Sequence, residues 1–267
     1  MRNIKKILLE QKTGKKYFIK ELDDDFHTSS GVISKEELKS KKEIVESNKG
    51  KRFFLFKPTF PDLWESLTRG PQVMIQKDIG MVMAKTGINK DSKIVDAGGG
   101  SGSLCLSLAN ICEEITVYEI NPEHYDIIAK NIKLFGFNNV HLKQGSIYNG
   151  IKETNLDLIN LDLPEPWQVI EHAEKALKLG GHLVVYLPNL NQVKMFIDST
   201  KRSKIKVIET LELIERTWKI EDRIMRPEFQ MLGHTGFLIF CRRFWLKMTI
   251  KIKRIDKTLP LPEYKTS

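Results

Sequence analysis

From about Ile79 onward the chain alternates short, near-continuous apolar runs with stretches of helical spacing, and this alternation constrains the fold more than any other feature. Ile94-Val95-Asp96 reads as a strand ending in glycines, and residues 103–110 as the helix that follows. Residues 114–119 make the next strand. Between Pro122 and Phe135, the side chains of Tyr125, Ile128, Ile132 and Phe135 recur every three or four positions, a helix that Gly136 stops. Val140-His141-Leu142 is a third strand, residues 156–161 a fourth, and residues 182–187 a fifth after Gly180-Gly181; Ile170, Ala173 and Leu177 line one face of a helix between the last two. Strands that are apolar along their whole length are covered on both faces. That is the property of a parallel sheet whose right-handed crossovers lay helices on each side. The expected architecture is a doubly wound α/β domain, with the β-rich runs 206–213 and 236–243 closing one edge as an antiparallel pair, since no crossover helix separates them.

The first 50 or so residues follow a different pattern. Lys6-Ile7-Leu8-Leu9-Glu10 and Lys16-Tyr17-Phe18-Ile19-Lys20 flank Thr13-Gly14 as a β-hairpin would, and the stretch from Asp23 to Gly31 reads as loop. This divides the chain into a small N-terminal β domain with its linker (1–60), the α/β domain (61–244) and a basic tail (245–267). The hairpin reads first as a cover over the main core, with an oligomer or nucleic-acid contact as alternatives. The tail carries Lys247, Lys251, Lys253, Arg254 and Lys257 against Asp256, and reads as a solvated segment ahead of an RNA contact. No apolar run approaches the length of a membrane span, and Ile7-Leu8-Leu9 is too short for a signal-peptide core, so no membrane partner and a cytoplasmic location are expected. The net charge of +9 fits a polyanionic partner but also a merely lysine-rich proteome. Cys105, Cys112 and Cys241 lack any paired spacing and read as packing residues.

In a doubly wound sheet, ligands bind beyond the carboxyl ends of the strands. The first such loop is Val95-Asp96-Ala97-Gly98-Gly99-Gly100-Ser101-Gly102, whose adjacent glycines let backbone approach a ligand closely. Glu119 ends the second strand and would accept both hydroxyls of an adenosine ribose. A dinucleotide enzyme would use the same carboxylate. Its Gly-x-Gly-x-x-Gly turn, however, needs a third glycine at position 103, where this chain has Ser103. Asp96 also suits an amino-acid ammonium and would repel a pyrophosphate. S-adenosylmethionine is therefore the expected ligand.

The third strand ends at Gln144-Gly145-Ser146-Ile147, either an adenine seat on Ile147 or an ordinary turn. The fourth ends in Asp162-Leu163-Pro164-Glu165-Pro166-Trp167. A carboxylate ahead of a proline-stiffened aromatic loop suits transfer to an adenine nitrogen, with Asp162 accepting from the exocyclic amine. The alternatives are a helix N-cap for Asp162 and a core anchor for Trp167. A methyl sulfonium is already strongly electrophilic, so alignment and proton removal suffice and no metal is expected.

Arg69-Gly70-Pro71-Gln72 before Lys77-Asp78, the Asp96 to Gly102 loop, the Asp162 to Trp167 loop, Tyr186-Leu187-Pro188 with Gln192, and Arg226-Pro227 followed by Gly233-His234-Thr235-Gly236-Phe237-Leu238 occur together and in this order. The combination closely resembles the tRNA (adenine-N1)-methyltransferases that modify the T-loop, from about residue 1 to 243. His27-Thr28 and Gly31-Val32-Ile33 resemble the loop leaving that family's N-terminal domain. The resemblance implies a small N-terminal β domain, a class I Rossmann-like domain with a mostly parallel seven-stranded sheet, a homotetramer, tRNA as partner, and 1-methyladenosine at tRNA position 58, with position 57 a second target in some archaeal relatives.

Carried over by motif, Gln72 sits by the donor, while Asp96, Gly98, Gly100, Ser103 and Leu104 hold its methionine part and Glu119 its ribose. Ile120, Ser146 and Ile147 join the cofactor-binding set. Asp162 both borders the donor and is catalytic. Ile75, Trp167 and His234 fall on the substrate side, where His234 either meets the target loop or bonds within a turn. Three departures stand out. Ile75-Gln76 replaces an aromatic or histidine followed by proline, removing a side chain that would stack on the base and bearing on the second target. Ser146 replaces an aspartate that meets the adenine amine, leaving that task to backbone groups. The basic tail lies beyond the pattern. Two other readings are a non-catalytic tRNA-binding subunit and a methyltransferase acting on a small molecule or DNA; the intact loop with Glu119 and Asp162 favours the catalytic chain.

Overall fold

The computed structural model describes residues 4–70 and 73–244; Gln72 and the basic tail lie outside the described residues. The N-terminal part contains β1 (Lys6–Glu10), β2 (Lys16–Ile19), β3 (Phe26–Thr28), β4 (Gly31–Ile33), α1 (Lys35–Lys39), β5 (Ile44–Glu46) and β6 (Arg52–Phe56). Strands β2-β1-β6-β5 form an antiparallel sheet in that order. Alternation along β1 divides its side chains. Leu8 joins Ile19, Ile33, Leu38, Val45, Phe53 and Leu55 in a small core of their own, whereas Ile7, with Ile4, packs into the larger core of the α/β domain. The expected hairpin is present. The segment expected as loop differs, because it holds the short pair β3 and β4, closed where Thr28 Oγ1 donates to the Gly31 carbonyl at 2.7 Å.

The rest contains α2 (Phe60–Glu65), α3 (Gln76–Thr86), β7 (Lys93–Ala97), α4 (Ser103–Ala109), β8 (Glu114–Glu119), α5 (Pro122–Phe135), β9 (Val140–Gln144), β10 (Leu156–Leu161), α6 (Ile170–Ala176), β11 (Leu177–Leu187), α7 (Leu190–Thr200), β12 (Ile205–Glu212), β13 (Trp218–Glu221), β14 (Ile224–Pro227) and β15 (Phe237–Arg243). A seven-stranded sheet runs β12-β15-β11-β10-β7-β8-β9. From β11 to β9 all neighbours are parallel, and β15 is antiparallel to both β11 and β12. Alternate side chains of the central strands feed two cores: Val95, Ala97, Ile159 and Leu161 enter one, and Ile94 and Leu158 the other. Chain order reverses between β7 and β10, so their carboxyl ends open a crevice where ligands bind in such sheets.

Three elements depart from the sequence reading. Strand β11 begins at Leu177, ahead of Gly180-Gly181, so Leu177 opens the strand and does not belong to the expected helix face, and the register of β11 against β10 shifts between Leu156 and Leu158. The strand passes so close there that a Cβ on Gly181 would lie 2.8 Å from the Leu156 carbonyl oxygen. Helix α7 has no counterpart in the sequence pattern because Leu190 and Met195 are exposed and blur its apolar stripe. The β13–β14 hairpin is exposed, so burial imposes no alternation on it. All three cysteines are buried, and among the described residues no helix is long and apolar enough to cross a membrane.

Candidate active site

The glycine loop after β7 is shaped by the protein on one side and open on the other. Gly98 has φ +84°, and a Cβ placed on it would lie 2.0 Å from the Asp162 carbonyl oxygen. Gly99 faces Val117 and Ile128, where a Cβ would come within 2.7 and 2.6 Å. These two glycines therefore allow the loop to pack against β8, α5 and the backbone of Asp162. Gly98 N–H donates to the Tyr118 carbonyl at 3.1 Å, and Asp162 N–H to the Ala97 carbonyl at 2.9 Å. The donor loop and the residue expected to catalyse are thus neighbours joined through backbone.

The open side borders a cavity of about 310 Å³. Asp96, Gly98, Gly100, Ser103, Leu104, Glu119, Ile120, Ser146, Ile147 and Asp162 all line it. Glu119 is buried; one carboxylate oxygen accepts from Gly100 N–H at 3.0 Å and the other from Asn121 N–H at 2.8 Å. Each oxygen keeps a further lone pair for a hydroxyl. Asp162 is reachable from the cavity, yet the surrounding protein pushes its carboxyl up to about 6.

The three residues assigned to the acceptor do not line this cavity. Ile75 precedes the first turn of α3, and its neighbour Met74 lines the cavity instead. Trp167 packs against the core between the sheet and α6, and borders a separate groove with Ile170 and Arg202. His234 offers Nε2 to the Pro188 carbonyl at 2.9 Å and Nδ1 to the Glu212 carboxylate. Two acceptors demand two N–H groups, and these partners, Glu212 foremost, raise its pKa. The turn role fits His234 as it stands.

Asn160 is a site residue that the motifs do not indicate, although an amide inside the apolar run 156–161 is itself a signal. It is fully buried in β10 opposite Asp96, borders the cavity, and its Nδ2 donates to Asp96 Oδ1 at 2.8 Å, while its Oδ1 has no partner. Burial raises Asp96 to about 7; the Asn160 hydrogen bond opposes this, and the charges of Asp162 and Glu119 add to it. A buried carboxyl beside an orphaned amide oxygen calls for a cation that carries N–H groups. The α-ammonium of S-adenosylmethionine meets that need, and Glu119 meets its ribose diol, so the residues fit the donor. Among the described residues no group of three or more His, Cys, Asp or Glu side chains converges as a metal site.

The sheet order, the glycine loop and the terminal carboxylate of β8 define a class I S-adenosylmethionine-dependent methyltransferase. Solved structures agree: one described as a SAM-dependent O-methyltransferase from Thermotoga maritima has a TM-score of 0.79 at 26% identity, covering 93% of this chain and 96% of that one. The tRNA (m1A58) methyltransferase TrmI of Aquifex aeolicus gives 0.73 at 25%, covering 92% and 98%. Residues 51–226 match the family described as tRNA methyltransferase complex GCD14 subunit. A Methanocaldococcus jannaschii protein named tRNA (adenine(57)-N(1)/adenine(58)-N(1))-methyltransferase TrmI is 33% identical over 265 residues, 88% of this chain and 94% of that one. The chain belongs to this family of tRNA-methylating enzymes.

Proposed function

We propose that the protein transfers a methyl group from S-adenosylmethionine to N1 of adenine 58 in the T-loop of tRNA. The observation that carries this reading is the Asp162 carboxyl, reachable at the edge of the donor cavity and backed directly by the Gly98 loop. Asp96 and Asn160 hold the donor's ammonium, Glu119 its ribose, and Ile147 its adenine. When bound, the donor supplies a methyl group on a positively charged sulfur. The N1–carbon bond forms as the sulfur–carbon bond breaks, and positive charge moves onto the base. The exocyclic amine becomes more acidic, and the Asp162 carboxylate accepts its proton. The site's remaining work is alignment, and no part is assigned to a metal. The proposal includes a homotetramer and a cytoplasmic location, where tRNA is met.

The test is incubation with labelled S-adenosylmethionine and unmodified tRNA transcripts, followed by nuclease digestion and mass spectrometry of the fragments. The expected product is 1-methyladenosine at position 58, and the same digest shows whether adenine 57 is a second target. Absence of 1-methyladenosine while the donor binds refutes the proposal. The Thermotoga likeness, described as an O-methyltransferase, favours a second reading with an oxygen acceptor. It predicts a methyl on a hydroxyl, such as a ribose 2′-oxygen, which fragmentation distinguishes from a methylated base. Binding of tRNA without transfer would indicate a non-catalytic subunit, and transfer to DNA or a small molecule alone would move the acceptor elsewhere.

A further inference from the structure

Three sequence motifs that do not line the donor cavity converge on one cluster around the buried Asp78. Lys77 lies in the first turn of α3, with its side chain largely buried and that of Asp78 completely so. The Lys77 ammonium has three N–H groups and meets three acceptors: Asp78 Oδ1 at 2.9 Å, the Leu213 carbonyl at 2.9 Å and Thr235 Oγ1 at 2.7 Å. The Tyr186 hydroxyl donates to the other Asp78 oxygen, Oδ2, at 3.4 Å. Hydrogen bonds thus run from Thr235 through Lys77 and Asp78 to Tyr186.

Leu213 and Thr235 are the two ends of the excursion that leaves the sheet after β12, forms the β13–β14 hairpin and returns at β15. One ammonium therefore fastens both ends to α3. Contacts on either side extend the arrangement toward Asp162. The Tyr186 ring fills the space over Gly236, where a Cβ would come within 2.6 Å of it. His234 donates to the Pro188 carbonyl, and Gln192 Nε2 donates at 3.1 Å to the carbonyl of Pro164, in the loop that carries Asp162. Lys77, Asp78, Tyr186 and Thr235 do not line the donor cavity.

We infer that Lys77, Asp78, Tyr186 and Thr235 form a clamp that fixes the 213–235 excursion and the Asp162 loop on the acceptor side of the site, leaving the donor side unaffected. They are positioning residues, since none has a place at the reacting atoms. A buried ammonium with every N–H engaged has none left for an RNA phosphate. Its effect on tRNA passes through the segments it holds.

The inference rests on tRNA being the acceptor, so its test includes a readout that does not. Thr235→Val keeps the side chain's shape while removing one acceptor of Lys77; Lys77→Met removes the centre of the clamp. In both, trypsin should cut at the exposed Arg216 and Arg223 at least about tenfold faster than in the wild type, as expected when a segment opens locally. The KM for tRNA should rise about tenfold, with kcat at saturating tRNA changing less and S-adenosylhomocysteine affinity by calorimetry staying within about twofold. Unchanged cleavage in both variants overturns the clamp, as does a loss of donor affinity parallel to that for tRNA. If Lys77→Met does not fold, Thr235→Val carries the test alone. A wild-type enzyme that makes no 1-methyladenosine would refute the proposed function, while the proteolysis still decides the clamp.

Discussion

Gly98→Ala is the sharpest perturbation of the site because its geometry gives both the cause and the size of the effect. The added Cβ would stand 2.0 Å from the Asp162 carbonyl oxygen and 2.9 Å from its carbonyl carbon, where real Cβ atoms keep at least 3.0 Å. One side must retreat by about 1 Å, and neither has slack: Gly98 N–H is bonded to the Tyr118 carbonyl and Asp162 N–H to the Ala97 carbonyl. The left-handed φ of +84° costs an alanine about 1–2 kcal/mol besides. A shift of this size between the donor loop and the proton acceptor should lower kcat/KM about 10²-fold, the scale at which misplacement by an ångström is felt. Gly14→Ala separates strain from clash, since φ is +68° there but a Cβ at that position would have nothing within 4 Å. It should lower the melting temperature slightly and leave methyl transfer unchanged. Labelled transfer to tRNA, calorimetry with S-adenosylhomocysteine and thermal melting measure the three quantities. A folded Gly98→Ala enzyme within about threefold of wild type in kcat/KM and donor affinity would refute the packing argument.

Four further outcomes are expected. Asp162→Ala should lower kcat at least about 10²-fold with donor affinity within about threefold; donor affinity falling as far as kcat would show that the residue serves binding. Because protein around Asp162 raises its carboxyl to about 6 in the free enzyme, wild-type kcat/KM should rise with pH up to that value and level off above it, as the proton-accepting form fills; a flat profile from pH 5 to 7 would remove it as the base. Glu119→Ala should weaken S-adenosylhomocysteine binding about tenfold or more by removing a buried acceptor, with kcat at saturating donor much less affected; the opposite split would reverse the two carboxylates' roles. Burial raises Asp96 to about 7, so below that pH it is largely neutral and offers an ammonium no charge. Donor affinity should therefore tighten from pH 6 to 8, and Asp96→Asn should flatten the dependence; an unchanged slope in that variant would place the titrating group elsewhere.

What could be read in advance followed from local rules, and what could not depended on where side chains point. The Pro122 to Phe135 helix was legible because its apolar spacing and its left-handed Gly136 cap are both local. The strands around the site were legible because a strand buried on both faces must be apolar throughout. The residues proposed to hold the donor follow from these two rules together, since a loop after β7 and a carboxylate ending β8 lie on adjacent strands and both face the cavity at the carboxyl end of the sheet. Trp167 and His234 belong to segments that neighbour the site, but sequence does not reveal that one turns into the core and the other toward Glu212 and Pro188. Asn160 is the instructive case between them, because its burial could be inferred from its strand, and a buried amide needs partners. Asp96 satisfies only its nitrogen. The oxygen left over asks for a donor that the strand pairing does not provide. In the same way, Lys77-Asp78, Tyr186 and Thr235 look like separate family marks in sequence, yet the fold links them through Lys77 and Asp78 by hydrogen bonds. Unpaired buried hydrogen-bonding capacity that borders a cavity, as at Asn160, points to ligand, and capacity taken up by neighbouring protein groups, as at Lys77, points to architecture. That distinction, which only the fold supplies, divides the donor site from the clamp beside it.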